Sequence, residues 1–374
     1  MSSRFAVIGA GTMGAQAAWR LASRGHRVVA FEKYAPGHPY GAAGGETRLY
    51  RNIELEDLRY TPLVRRASEL WLSLETQSGW KLRDITGAVI AGHAEAEETR
   101  RALAAAEAEP GAEVLDVHDA RRRFPAHAFD AEDAVIFDRG GGVIRPELTV
   151  KAAATQAVQA GCELRTHTPV TSVEDRGSHV EVTSARGAEA FDRVVVTAGA
   201  WTQHVVPQLS GQLRSHQLMS AWFAGKTANA LEGVHPLIRT NPTYCYALPT
   251  SDGYGVKLGL GFGFHPRVER PEDGPRVVEE EAMAAFRERV RRYLPVVDPE
   301  PYRTDFYYES YTASRHEWLA PAPGQPNIIV ASGFSGHGFK MSPAIGELAA
   351  ELALGDRPSV DISFLETAND GVSW

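Results

Sequence analysis

The chain opens on an apolar run, Phe5-Ala6-Val7-Ile8, that stops at a glycine and gives way to a stretch with small residues along one side. Short apolar runs bounded by glycine read as buried strands, and apolar positions three and four apart read as a helix. Residues 4–8 and 26–31 are therefore expected as strands around a helix at 13–24, a βαβ unit. Helical spacing recurs at 61–74, at the alanine-rich stretch 95–108, at 147–160 before Gly161, and along the charged segment 278–294. Alternation over 163–183, with an Asp-Arg-Gly-Ser turn inside it, predicts a hairpin, and 193–201 predicts a buried strand meeting a glycine. Between 244 and 264, aromatic and β-branched residues mixed with glycine predict a second sheet. The chain then closes on a strand at 327–331, a glycine-rich loop at 333–338 and a helix at 343–354. No internal repeat interrupts this order.

Such an order predicts an α/β protein: a Rossmann-like dinucleotide domain assembled from 1–85, 145–215 and 315–374, and a second, sheet-rich α+β domain from 86–144 and 216–314. A length of 374 residues suits two packed domains, because single cores stop growing near roughly 250–300 residues. The 39 basic and 47 acidic residues are spread along the chain, which argues against a nucleic-acid or anionic-membrane partner. Two isolated cysteines, Cys162 and Cys245, supply neither a disulfide framework nor a metal site, so a reducing compartment and no metal are expected. No apolar run nears the roughly 20 residues of a membrane span, and the first strand runs straight into the glycine turn. A soluble, cytoplasmic protein, as a monomer or small homo-oligomer, is the expectation.

The candidate chemistry begins in Gly9-Ala10-Gly11-Thr12-Met13-Gly14. The first glycine permits a tight turn, the second lets backbone approach a pyrophosphate, and the third lets the helix pack on the strand. Helix N-terminal amides then face the phosphates. Glu32, at the end of the second strand, can accept hydrogen bonds from an adenosine ribose. Together these predict a bound dinucleotide and leave FAD and NAD both open.

Three further segments carry a likeness: Gly45-Glu46-Thr47-Arg48-Leu49-Tyr50-Arg51, Val256-Lys257-Leu258-Gly259, and Gly333-Phe334-Ser335-Gly336-His337-Gly338-Phe339-Lys340. In these, and nearly end to end, the chain resembles the monomeric sarcosine oxidase and N-methyltryptophan oxidase group of the D-amino-acid oxidase-like flavoenzymes. The resemblance implies FAD, and oxidation of the C–N bond of a secondary amino acid with molecular oxygen reduced to hydrogen peroxide. It implies that Arg51 and Lys340 grip the substrate carboxylate, a fork and a point charge respectively. It implies that Lys257 faces the flavin and activates oxygen, as a fixed positive charge would. Arg48 and Thr47 are expected beside the flavin ring, His337 within the loop or on the substrate, and Tyr246 and Tyr311 along the substrate cavity. Cofactor contacts are also expected from Lys33, Val170, Ala198, Gly199, Trp201, Gly333, Gly336, Gly338 and Lys340, besides the turn itself.

The pattern breaks in two places. Where relatives carry a flavin-linking cysteine just upstream of a Tyr-Thr pair, Tyr311-Thr312 is here preceded by Glu309-Ser310, so a noncovalent FAD is expected. Paired histidines before the Glu-Thr-Arg segment are here Ala43 and Gly44, and a histidine after the lysine strand is Gly261. That replacement of large groups by small ones predicts a cavity for something bulkier than sarcosine: an N-methyl, cyclic imino or fructosyl amino acid. Competing readings are a dehydrogenase passing electrons to a quinone or protein carrier, an NAD enzyme, and a non-enzymatic flavin-binding subunit.

Overall fold

A computed structural model describes residues 3–370, 372 and 374. Its first layer is a six-stranded sheet built around Arg4–Ile8, which pairs in parallel with Arg27–Phe31 on one side and Arg193–Val196 on the other. Glu163–Arg165 extends it beyond Arg27–Phe31, and Gln325–Ser332 with its antiparallel edge Trp318–Ala322 extends it the other way. Successive side chains on the central strand point to opposite faces, and both faces are covered. Phe5 and Val7 join a core with the helices Thr12–Ser23, Pro146–Gln159 and Ser342–Leu354, whereas Ala6 and Ile8 join one with Val173, Val182 and Phe191 of a three-stranded sheet. Burial on both faces is why this strand reads as a continuous apolar run rather than an alternation.

Most expected helices lie within a residue or two of their predicted ends, including Thr12–Ser23, Glu97–Glu107, Pro146–Gln159 and Glu280–Tyr293; Thr61–Ser78 runs four residues further. One strand prediction needs correction. Residues 163–165 belong to the parallel sheet, and the hairpin is confined to Val170–Asp175 and Val180–Ser184 around the Arg176 turn. Leu213–Gly225 and Val297–Thr312, long strands that pair antiparallel, have no counterpart in the sequence expectations.

Those two strands belong to a nine-stranded mixed sheet. Leu213–Gly225 also pairs with Gly255–Leu260, which pairs with Cys245–Pro249, and the sheet continues through Leu237–Arg239 to Ala88–His93 and Asp133–Asp138. Helix Glu280–Tyr293 packs Phe286 and Val290 into the apolar core on this sheet. Among the described residues no helix is long and apolar enough to cross a membrane, and no cluster of His, Cys, Asp and Glu is placed to hold a metal.

Candidate active site

A cavity of about 640 Å³ runs between the two sheets, from the glycine turn to the loop at 333–338. At the turn, Gly9 adopts φ +92°, a left-handed conformation that side chains resist, and its N–H donates to the Phe31 carbonyl at 2.8 Å. A Cβ on Gly14 would stand 1.8 Å from the Gly9 carbonyl oxygen, so only glycine lets the helix approach its own strand here. Gly11 differs: a Cβ there would meet no protein atom within 4 Å and would project into the cavity. Gly11 is also the N-cap of Thr12–Ser23, and no side chain caps that helix. Its first-turn amides thus remain available to an anion.

Glu32 is 3% exposed, and its two carboxylate oxygens accept from the Ala10 N–H at 2.9 Å and the Tyr34 N–H at 2.8 Å. Burial raises its pKa against the pull of those amides. A buried carboxylate so placed gains from further donors, which the hydroxyls of a ribose supply. Lys33 and the Trp201 indole both donate to Glu272 of the other sheet's domain, the indole at 2.6 Å, and this contact borders the same cavity.

Of the residues expected to touch cofactor, Gly9, Gly11, Thr12, Met13, Glu32, Lys33 and Arg48 line the cavity. So do Val170, Ala198, Gly199, Trp201, Gly333, Gly336 and Gly338. Gly14, Thr47, His337 and Lys340 are not among the residues that line it. The open cradle at Gly11, the uncapped helix and the buried Glu32 fit a dinucleotide of FAD's kind, whose pyrophosphate and ribose match them.

At the opposite end, the Arg48 guanidinium donates to the carbonyls of Ala42 at 2.6 Å and Thr47 at 2.9 Å. Lys257 is fully buried, and its Nζ donates to the carbonyls of Gly45, at 2.9 Å, and Thr47. Burial, with Arg48 adding to it, pushes the Lys257 pKa well below that of an ordinary lysine. The expected fixed charge therefore sits where burial disfavours it, hydrogen-bonded to backbone carbonyls and favoured at longer range by Glu147 and Glu46. His337 bonds through Nε2 to the Arg315 carbonyl at 2.9 Å, so that nitrogen carries the proton, and its Nδ1 is buried without a partner.

Arg51 and Lys340 do come together, but neither cation is free. Arg51 holds both oxygens of Glu56 at 2.6 Å and lies 3.7 Å from Glu54, while Lys340 lies 3.2 Å from Glu54 and 3.7 Å from Glu56. Glu54 is wholly buried, and neither of its oxygens accepts a hydrogen bond. Burial pushes the Glu54 carboxyl up to about 7, with Lys340 and Arg51 opposing. For Glu56, Arg51 and Lys340 overcome burial and hold the carboxyl well below its usual range. Glu54 and Glu56 stand three and five residues after Arg51, and the sequence reading assigned neither of them a role.

Tyr311 is 2% exposed, with its ring on Phe262 and His216 and its hydroxyl 3.1 Å from His265 Nδ1. Tyr246 covers Gly259, where a Cβ would meet its ring at 2.0 Å. Neither tyrosine lines the cofactor cavity. Tyr244, passed over in the sequence, is 41% exposed and lies close enough to Glu56 and Arg51 to feel their charges. The small residues need a correction too. Ala43 lines the cavity, but the ring of Tyr307 stands 2.7 Å from where a Gly44 Cβ would be, and Tyr244 stands 3.3 Å from a Gly261 Cβ. Two tyrosines occupy the room that those glycines were expected to leave.

Comparison with known proteins fits this geometry. The family described as FAD dependent oxidoreductase matches residues 4–352. The chain is 30% identical to a monomeric sarcosine oxidase of Streptomyces avermitilis, over 93% of this chain and 92% of that one. It is 27% identical to an N-methyl-L-tryptophan oxidase of Salmonella heidelberg, with 96% of each covered. Among solved structures, NikD, described as an unusual amino acid oxidase essential for nikkomycin biosynthesis, superposes with a TM-score of 0.84 at 24% identity over 97% of both chains, a likeness of fold.

Proposed function

This chain belongs to the family of FAD dependent oxidoreductases, and from that premise we propose that it oxidises the C–N bond of an N-substituted amino acid and passes the electrons to oxygen, releasing hydrogen peroxide. One observation carries the substrate class: the buried pairing of Arg51 and Lys340, each held by a carboxylate of the chain itself. A cation pair dressed with carboxylates is built to receive one more by exchange.

FAD held in the cavity supplies a two-electron acceptor for that bond. Arg51, which gives Glu56 only its Nη2 while Nη1 donates to the Ile53 carbonyl, releases Glu56, the more exposed of the two acids at 30%, and takes the substrate carboxylate in its place. Glu54 stays buried beside Lys340 and keeps the charges near balance. Tyr244 forms a wall of the space so opened, and Lys257 offers its ammonium hydrogens behind the Glu-Thr-Arg segment. The substrate is bulkier than sarcosine in this reading, resting now on the exposed ring of Tyr244 and on Ala43 rather than on the glycines.

Purified protein should be yellow, and acid precipitation should leave a colourless pellet, since the flavin is held without a covalent bond. A panel of N-substituted amino acids should bleach it anaerobically and yield peroxide in air. Bleaching without peroxide, but with reduction of a quinone, makes it a dehydrogenase. If sarcosine has the highest kcat/KM of the panel, the bulkier substrate is wrong.

A further inference from the structure

Strand Val297–Thr312 brings Tyr308, Glu309 and Ser310 to the cofactor cavity, and Glu309 is the one acid among these three. Its Oε2 is buried and finds no hydrogen-bond donor. Basic groups stand nearby, because Arg48, His337 and Lys257 all act on this carboxyl through space. Each is already committed elsewhere: Arg48 to the carbonyls of Ala42 and Thr47, Lys257 to those of Gly45 and Thr47, His337 to that of Arg315. Tyr311 and Tyr246 also feel its charge, and His216 lies opposite it in strand register. Glu309 is thus a carboxylate set in a cationic field, bonded to none of its members, on the wall of the cavity.

We propose that Glu309 is a redox-tuning residue whose negative charge opposes the charge that reduction places on the bound flavin, and so holds the flavin's potential down. The physical basis is Coulombic. Two-electron reduction makes the cofactor more negative, which nearby cations favour and a carboxylate in the same low-dielectric cavity disfavours. Removing the carboxylate leaves the basic groups on that wall with less negative charge against them. The proposal rests on FAD occupying this cavity.

The test uses purified holoprotein and two variants. Glu309→Gln keeps the shape and removes the charge, and Glu309→Asp keeps the charge. The midpoint potential is measured by equilibration with a redox dye, and affinity for sulfite, whose adduct with oxidised flavin is anionic, by the loss of flavin colour. At pH 8, Glu309→Gln should be more easily reduced and bind sulfite at least tenfold more tightly, with Glu309→Asp close to wild type. Burial raises the Glu309 pKa, with Arg48 and His337 opposing. The carboxyl therefore loses its charge at a higher pH than an ordinary glutamate does, and the gap between wild type and Glu309→Gln, compared from pH 6 to pH 9, should not narrow as pH rises. Equal potentials and equal sulfite affinities across that range overturn the proposal. If Gly11→Val retains flavin, the placement of FAD in the cavity falls instead; if it loses flavin while Glu309→Gln is silent, only the role of Glu309 falls.

Discussion

The glycine turn and the Arg51–Lys340 cluster are built on opposite plans. Around Gly11 the protein leaves space, uncapped amides and a buried carboxylate, and these features are set mainly by backbone. Around Arg51 it leaves no cation open: Glu56 and Glu54 already stand where an incoming carboxylate would. A cofactor that stays bound can have a preformed cradle, because binding it once costs nothing further per turnover. Under the proposed function, a substrate that comes and goes meets cations kept paired between visits, since an unpaired buried charge costs several kcal/mol. Cradle and cluster should therefore respond differently to mutation, the first in cofactor retention and the second in substrate affinity.

The largest effect is expected at the cradle. Gly11→Val adds a side chain whose Cβ meets no protein atom within 4 Å beyond its chain neighbours, so the fold should survive while the pyrophosphate's space is filled. Protein of normal far-ultraviolet circular dichroism, purified without yellow colour, is the expected outcome. Full flavin content in that variant would remove the distinction between the two regions.

At the cluster, Arg51→Lys keeps the charge that Glu54 and Glu56 need and loses the fork. Hydrogen bonds to charged groups contribute about 1.5–3 kcal/mol, so KM should rise by roughly 10- to 100-fold with kcat changed far less. A fall in kcat at unchanged KM would place Arg51 in the chemical step rather than in substrate binding.

The cradle was legible in the sequence because its parts are local: strand, turn, helix and Glu32 fall within the first 32 residues and each has its own signature. The cluster was only half legible. Arg51 and Lys340 are separated by most of the chain, and their meeting was inferred from a likeness. That they meet through Glu54 and Glu56 depends on a loop conformation that periodicity does not describe. Of the nine-stranded sheet only the part at 244–264 was foreseen, for a related reason, since Ala88–His93 pairs with Leu237–Arg239 and Leu213–Gly225 with Val297–Thr312 across long separations. Glu309 was noticed only as a residue where a cysteine was expected. Its orphaned oxygen depends on which way a long strand turns its side chains at the cavity wall.

A smaller effect should separate the two acids of the cluster. With its carboxyl pushed up to about 7 by burial, Glu54 is protonated in much of the protein below that pH and ionised above it. Once ionised, it holds Lys340 and repels an incoming carboxylate. The dissociation constant of a simple carboxylate inhibitor, measured by flavin spectral change, should be flat below pH 7 and weaken by at most about tenfold per pH unit above it. Glu54→Gln should abolish the slope. For stability the sign is the same: the folded state binds this proton more tightly than the unfolded chain, so Glu54 disfavours folding increasingly as pH rises from the ordinary carboxylate range through about 7.

The smallest effect returns to the cradle, where the segment Pro271–Asp273 borders it. Glu272 accepts from Lys33 and from the Trp201 indole, and Arg270, Glu272 and Asp273 border the cavity. The pair is exposed, 36% for Lys33 and 41% for Glu272, and exposed ion pairs contribute about 0–1 kcal/mol. Glu272→Gln keeps an acceptor for the indole and loses the charge, so the FAD dissociation constant should rise no more than about fivefold at low ionic strength. Added salt should shrink the difference, because exposed charges are screened beyond about 10 Å at 0.1 M. A loss as large as that of Gly11→Val would mean that the cradle is held shut by this contact rather than preformed by its backbone, and the contrast with the Arg51 cluster would then be one of degree.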